Sequence, residues 1–182
     1  MKVYLAAPIF NPQQLEIVEL MKFAAEEEGH EVFSPYHESR GIWNGRAPKD
    51  CSPNERRQVV FQNVRNLDWA EVILAWVGGY PEGFTDPGVL WELGYAGCRS
   101  GVPAIETAQA RVPFSVGYID STDTRRGMNL MLAGTLDYGV LGRESLERFL
   151  YDISSESELE PHDLKTLYHT DLVLMQEADP IK

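Results

Sequence analysis

Cysteine and positive charge are both scarce in this sequence. Only Cys51 and Cys98 occur, and their spacing matches no metal-binding or redox motif. We interpret them as free thiols in a reducing cytoplasm. The 16 lysines and arginines are outnumbered by 28 acidic residues, so the formal net charge is -12. Because no basic patch offsets that charge, we expect no nucleic-acid partner and no membrane partner.

Long hydrophobic runs and metal-ligand patterns are also missing. No apolar stretch reaches transmembrane length, and the N-terminus lacks the charged-then-apolar pattern of a secretion signal. Neither the Gly-rich dinucleotide fingerprint nor a P-loop is present. The histidines show no zinc-ligand spacing, so we predict no metal; they are His30, His37, His162 and His169.

Apolar strands alternate with amphipathic helices, which predicts the α/β class. The length of 182 residues fits one domain with a full core. We expect a mostly parallel five-stranded sheet with helices on both faces. The segments that carry this prediction are a short strand that begins at Lys2 and ends in a loop around Pro8, strands near 30–35, 72–77, 101–105 and 115–119, and helices near 12–28, 52–70, 87–96 and 143–150. We place the domain at 1–150 and interpret 151–182 as an acidic linker and a C-terminal helical tail.

One helix is expected to bring a polar residue near the cleft. The pattern Ser-Pro-Asn-Glu at 52–55 is typical of a helix start, and Val60, Val64 and Leu67 are predicted to form its inner stripe. Asn63 falls beside that stripe. It either faces the cleft or is a hydrogen-bonded edge residue. The polar stretch before this helix, residues 36–53, predicts a long irregular loop. This loop either contacts the substrate or is disordered.

The stretch 85–96 follows the most apolar predicted strand and is the most informative part of the chain. Asp86 is a good N-cap, and Leu90, Leu93 and Tyr95 are predicted to supply the apolar face of the helix that follows. In an open α/β sheet, ligands bind where such a strand gives way to its helix. Glu92 lies on this helix. From spacing alone, Asp86 and Glu92 are either a cap and a solvated carboxylate or two members of a site.

Three segments of the chain resemble the nucleoside 2-deoxyribosyltransferase family. Residues 3–10, Val-Tyr-Leu-Ala-Ala-Pro-Ile-Phe, are similar to its first strand and loop. Residues 86–96 are similar to its signature, an Asp followed six residues later by the Glu of Glu-Leu-Gly-Tyr-Ala. Residues 128–131, Met-Asn-Leu-Met, are similar to its late Asn-Leu-Met segment. The segments occur in the family's order, and residues 151–182 lie outside the resemblance.

The resemblance implies a flavodoxin-like fold without metal or organic cofactor. It also implies transfer of 2-deoxyribose between nucleobases with retention, so the partners are a 2′-deoxynucleoside and a free nucleobase. The family's nucleophile corresponds to Glu92, the tyrosine that orients it to Tyr4, and the sugar-binding aspartate to Asp86. The late asparagine is donated by a neighbouring subunit, so a homo-oligomer with shared active sites is expected. The further substrate-binding positions are Asn129, Met131, Ala7, Phe10 and Gly88.

The sequence departs from the family's pattern at one catalytic position. Many members carry an Asp, thought to protonate the leaving base, where this chain has Asn63. An amide hydrogen-bonds a base but is no general acid. Asp68, Glu38 and His37 are the alternative donors, or the activity has changed.

Two other functions stay open at this stage. Relatives of the family hydrolyse the N-glycosidic bond of nucleoside 5′-monophosphates, so hydrolysis of a deoxynucleoside or its 5′-monophosphate is one alternative. The carboxylate of Asp86 would repel a phosphate, which favours a free nucleoside. A non-catalytic nucleoside-binding domain is the other alternative, because a fold does not imply a function.

Overall fold

Five parallel strands form the centre of the fold. The computed structural model describes residues 1–43, 46, 48–78, 85–100, 113–120 and 135–154. The strands are β1 (Lys2–Ala6), β2 (Glu31–Phe33), β3 (Val72–Trp76), β4 (Phe114–Ile119) and β5 (Tyr138–Leu141). Their order is β2-β1-β3-β4-β5, and every neighbouring pair is parallel. This is the flavodoxin-like strand order, so the predicted fold class is confirmed.

Helices cover both faces of the sheet. They are α1 (Pro12–Glu27), α2 (Pro35–Glu38), α3 (Arg40–Trp43), α4 (Pro53–Trp69), α5 (Pro87–Ser100) and α6 (Gly142–Asp152), with a 3₁₀ turn at Pro48–Asp50. Side chains alternate along β1, so Val3 and Leu5 belong to the apolar cluster under α1 and α6. Tyr4 and Ala6 belong to the cluster under α4 and α5. The face under α4 and α5 therefore carries Tyr4, one of the predicted site residues.

Local signals set the helix boundaries. The Asn11 side chain accepts a hydrogen bond from the backbone N–H of Gln14 at 2.9 Å and begins α1. Gly29 has a φ of 75°, a left-handed conformation that glycine adopts without strain just after that helix. Ser52 and Glu55 form a reciprocal capping box at the start of α4. Among the described helices, none is long and apolar enough to cross a membrane.

Two predicted helix faces are wrong in part. Val60 is 54% exposed and Leu90 is 42% exposed. In α4 only Leu67, near the C-terminal end, is buried, because the N-terminal half of this helix borders a cavity instead of the core. In α5 the buried face consists of Val89, Leu93 and Ala96.

Other predicted segments have mixed outcomes. The strand expected at 115–119 is present as β4. Residues 36–53 are less irregular than expected, since they contain α3, most of α2 and the 3₁₀ turn. The predicted strand at 101–105 and the tail from residue 155 lie outside the described residues.

Candidate active site

A tyrosine and a glutamate meet beneath α5. The Tyr4 hydroxyl donates a hydrogen bond of 2.6 Å to Oε1 of Glu92, although the two residues are 88 positions apart. Tyr4 is completely buried, and its ring stacks on Phe33 with the centroids 5.4 Å apart. Burial and the Glu92 carboxylate raise the pKa of Tyr4 above its ordinary value, so the phenol keeps its proton. Tyr4 is therefore a fixed donor to Glu92.

Glu92 is a carboxylate that titrates near neutral pH and has one oxygen without a hydrogen bond from the described residues. Burial raises its pKa to about 7, the Tyr4 hydrogen bond lowers it, and the charge of Asp86 raises it further. With this pKa, about half of the Glu92 side chains are ionised at neutral pH. The hydrogen bond from Tyr4 occupies Oε1. Since no described residue donates to Oε2, that oxygen is available to attack an electrophile.

Asp86 lies at the N-terminus of α5 and is 6% exposed. Its Oδ1 accepts hydrogen bonds from the backbone N–H groups of Gly88 at 2.7 Å and Val89 at 3.2 Å. A Cβ added at Gly88 would lie only 2.8 Å from Oδ1, so a side chain at this position would displace the capping carboxylate. The cap fixes the carboxylate and leaves Oδ2 without a hydrogen bond from the described residues.

The sheet and the preceding turn place these groups. β1 and β3 pair with Tyr4 opposite Ile73, which puts Tyr4 in the middle of the sheet beneath α5. Just before α5, the Thr85 hydroxyl donates a hydrogen bond of 2.7 Å to the carbonyl of Val77, the residue after β3. This bond joins the end of the strand to the start of the helix that carries Glu92.

A cavity of about 380 Å³ borders the N-terminal half of α4. It contains two of the predicted site residues, Phe10 and Asn63. The Ser39 hydroxyl lies 3.5 Å from Oδ1 of Asn63, which leaves the Nδ2 hydrogens of the amide to donate elsewhere. The other lining residues are Ile9, Pro35, Ser39, Arg46, Cys51, Glu55, Arg56, Val59 and Val60. The cavity is therefore lined mainly by apolar surface, together with a few polar and charged side chains.

Sequence reasoning missed the charged side chains of this cavity. Arg46 pairs with Glu55 at 2.5 Å. The hydrogen bonds from Arg46 and from Ser52 lower the pKa of Glu55 to about 2, so Glu55 stays ionised at neutral pH. Arg56 is exposed and forms no ion pair with any residue that the structure describes. The helix period alone does not reveal these groups, because a loop and a helix build the cavity together.

The three alternative proton donors do not line this cavity. His37 is hydrogen-bonded to Ser34 and to Glu19, both at 2.9 Å. Asp68 accepts hydrogen bonds from Tyr95 at 2.9 Å and from Arg99 at 2.6 Å on the outer surface of α4 and α5. Glu38 lines a different groove, next to Phe61 and Arg65. None of the three is a lining residue of the cavity that contains Asn63.

Of the remaining predicted site residues, one lies among the described residues and two lie outside them. Ala7 is half-buried just after β1 and offers only its backbone and a methyl group. Asn129 and Met131 lie outside the described residues. Within the described ranges, no group of three or more His, Cys, Asp or Glu side chains is arranged to hold a metal ion.

Comparisons with known proteins agree with the fold and with the sequence motifs. The family model described as nucleoside 2-deoxyribosyltransferase matches residues 3–131. A 2-deoxyribosyltransferase from Bacillus psychrosaccharolyticus is 21% identical with a TM-score of 0.64, over 90% of this chain and 96% of that chain. A CMP N-glycosidase from Clostridium botulinum is 14% identical with a TM-score of 0.49, over 81% and 95% of the two chains. A comparison with curated protein sequences finds no significant match.

Proposed function

The chain belongs to the nucleoside 2-deoxyribosyltransferase family, and we propose that it transfers 2-deoxyribose from one nucleobase to another through a covalent intermediate on Glu92. The observation that carries the proposal is the 2.6 Å hydrogen bond between Tyr4 and Glu92. It holds one carboxylate oxygen and leaves the other to attack. The family is one of enzymes that act on nucleosides and nucleobases, and the specific transfer reaction is our inference.

The reaction follows from what a partly buried carboxylate does to a glycosidic bond. Oε2 of ionised Glu92 attacks the anomeric carbon while the bond from that carbon to the base nitrogen breaks through an oxocarbenium-like state. A deoxyribosyl ester forms on Glu92. A ring nitrogen of a second base then loses its proton to water and attacks the same carbon, which releases the carboxylate. Each step inverts the anomeric carbon, so the product keeps the original configuration.

The neighbouring residues supply binding and orientation in this proposal. Tyr4 orients Glu92, and Asp86 accepts a hydrogen bond from a sugar hydroxyl through Oδ2. The departing base occupies the cavity lined by Phe10 and Asn63. Ala7 and Gly88 contact the substrate through their backbone. Because Asp86 brings a second negative charge next to Glu92, a neutral nucleoside is a better substrate than a nucleotide.

We also propose a homo-oligomer in which a neighbouring subunit donates Asn129 and Met131 to the site. Large apolar side chains on α4 and α5 support this proposal. Phe61 is 72% exposed and Trp91, next to Glu92, is 51% exposed. Exposed aromatic residues of this kind are typical of protein–protein contacts.

Intact-protein mass spectrometry tests the covalent intermediate. Wild type and Glu92→Gln are incubated with a 2′-deoxynucleoside and no acceptor base. We expect the wild type to gain the mass of one deoxyribosyl unit and the variant to gain none. Adding a second base should then yield a new nucleoside. An adduct on Glu92→Gln, or free deoxyribose in place of a new nucleoside, would contradict the proposed transfer.

Mixed oligomers test the shared site. Glu92→Gln and Asn129→Ala should each be inactive alone. Unfolded together and refolded as a mixture, they should regain part of the activity, because some sites then combine an intact Glu92 with an intact Asn129. A mixture as inactive as its components would oppose a shared site.

A further inference from the structure

The departing base needs either a proton or another way to carry its negative charge. Asn63 lines the cavity and cannot act as an acid. Glu55 lines it too, but its pairing with Arg46 lowers the pKa of its carboxyl group to about 2, so it holds no proton at neutral pH. His37, Glu38 and Asp68 are outside the lining. The described lining therefore presents hydrogen-bond donors but no imidazole and no carboxylic acid that holds a proton at neutral pH, and its one thiol, that of Cys51, is buried.

The charge in the cavity has the opposite sign from that of the whole chain. Its described lining contains two arginines and one glutamate. Arg46 and Glu55 neutralise each other, so Arg56 leaves one net positive charge in a protein whose formal charge is -12. The amide of Asn63 adds neutral hydrogen-bond donors. Groups of this kind stabilise an anion without giving up a proton.

We propose that the base leaves as an anion held by Asn63 and Arg56, and that the enzyme therefore prefers 2′-deoxynucleosides whose free bases have an acidic ring N–H, such as uracil, over those with a weakly acidic one, such as cytosine. This inference rests on the proposed function and adds a substrate class to it. Uracil and 5-fluorouracil present the same hydrogen-bonding groups and differ in the acidity of the ring N–H, so a rate difference between their 2′-deoxynucleosides reports leaving-group acidity and not recognition of the base.

The charges balance in the first step, and the second step is its reverse, in which the acceptor base attacks as the anion after giving its ring N–H proton to water. Glu92 begins as an anion, and its Oε2 forms a bond to the anomeric carbon. The electron pair of the broken carbon–nitrogen bond stays on the ring nitrogen, so the negative charge moves from Glu92 to the base. The anionic base takes a proton from water after it leaves the cavity. No oxidant, reductant or further reactant is needed.

The test measures base release during the first turnover, without acceptor, at about pH 8, where Glu92 is mostly ionised. The substrates are 2′-deoxy-5-fluorouridine, 2′-deoxyuridine and 2′-deoxycytidine, which differ little in size. We expect the rate to fall in that order, with deoxycytidine roughly 100-fold slower than deoxyuridine, the lower end of what a general acid contributes. Equal rates for the three substrates would overturn the proposal, because they would show that a proton donor assists departure.

Two variants with a matched control sharpen the result. Asn63→Asp introduces a carboxyl group of almost the same shape, and at about pH 6, where a larger fraction of it is protonated than at pH 8, it should raise the deoxycytidine rate relative to deoxyuridine. Arg56→Gln should slow release from deoxyuridine, whereas Arg57→Gln, on the same helix but outside the cavity lining, should not. If Arg57→Gln slows release as much as Arg56→Gln does, the assigned role of Arg56 is wrong.

The outcomes also separate this inference from the proposed function. Base release from all three substrates at equal rates would leave the covalent mechanism standing and remove only the anionic departure. No release from any deoxynucleoside would remove both.

Discussion

Replacing Glu92 by glutamine should stabilise the protein at alkaline pH. Burial raises the pKa of Glu92 from 4.5 to about 7. Between these two values, the native protein holds a proton on Glu92 that the unfolded chain has lost. Because the native state binds more protons there, the free energy of unfolding falls as the pH rises through this window. Glutamine has no such titration, so Glu92→Gln escapes the loss.

The size of the effect follows from the pKa difference. Each pKa unit corresponds to about 1.4 kcal/mol, so the full penalty above neutral pH is about 3 kcal/mol for the wild type. Part of it is already present in mild acid. From about pH 5.5 to about pH 8.5, the stability advantage of Glu92→Gln should therefore grow by about 2 kcal/mol. Glutamine retains an Oε1 that accepts the hydrogen bond from Tyr4, which isolates the effect of charge.

Urea unfolding followed by circular dichroism at several pH values measures this advantage. The matched control is Glu27→Gln. Glu27 is exposed at the end of α1, a helix on the other face of the sheet from Tyr4. Its stability relative to wild type should not change with pH in this way. If the advantage of Glu92→Gln is the same at pH 5.5 and pH 8.5, Glu92 does not have a raised pKa, and the reasoning about a poised carboxylate is refuted.

Three further substitutions test the surroundings of Glu92. Tyr4→Phe removes the hydrogen-bond donor that lowers the pKa of Glu92. When the rate of first-turnover base release is plotted against pH, the midpoint of its acidic limb should therefore rise by about one pH unit. An unchanged midpoint would count against this role of Tyr4. Gly88→Ala should raise KM and lower the free energy of unfolding by about 1 kcal/mol, because the alanine Cβ would lie 2.8 Å from Oδ1 of Asp86. An unchanged KM and an unchanged free energy of unfolding would show that the Asp86 carboxylate moves freely. Ser52→Ala should cost about 1 kcal/mol in urea unfolding through loss of the capping box, with KM unaffected.

The fold was largely predictable because its signals are local. An unbroken apolar run predicted β3, and all five residues of that strand are buried. Caps and a glycine marked α1 to within one residue of its observed end. Periodicity was less successful for Val60 and Leu90, because it shows neither how far the core extends along a helix nor how wide the buried face is. Val60 lies in the half of α4 that borders the cavity, and Leu90 lies beside the buried face formed by Val89, Leu93 and Ala96.

The candidate site was predictable only through the family resemblance. Spacing alone left Glu92 as either a solvated carboxylate or a functional one. The contact that favours the second interpretation joins β1 to α5 across 88 residues, and no local pattern encodes it. The charges around Asn63 were not predicted for a similar reason. Arg46 and Glu55 come from a loop and a helix whose approach depends on the tertiary fold.

In the proposed mechanism, charges of opposite sign flank the glycosidic bond. Glu92 and Asp86 place two carboxylates on the sugar side, and their mutual repulsion contributes to the raised pKa of Glu92. Formation of the ester removes one of these charges and transfers it to the departing base. Arg56 lines the cavity that is proposed to receive the base. Bond breaking therefore relieves repulsion on one side and gains attraction on the other, and both changes stabilise the transition state more than the bound substrate.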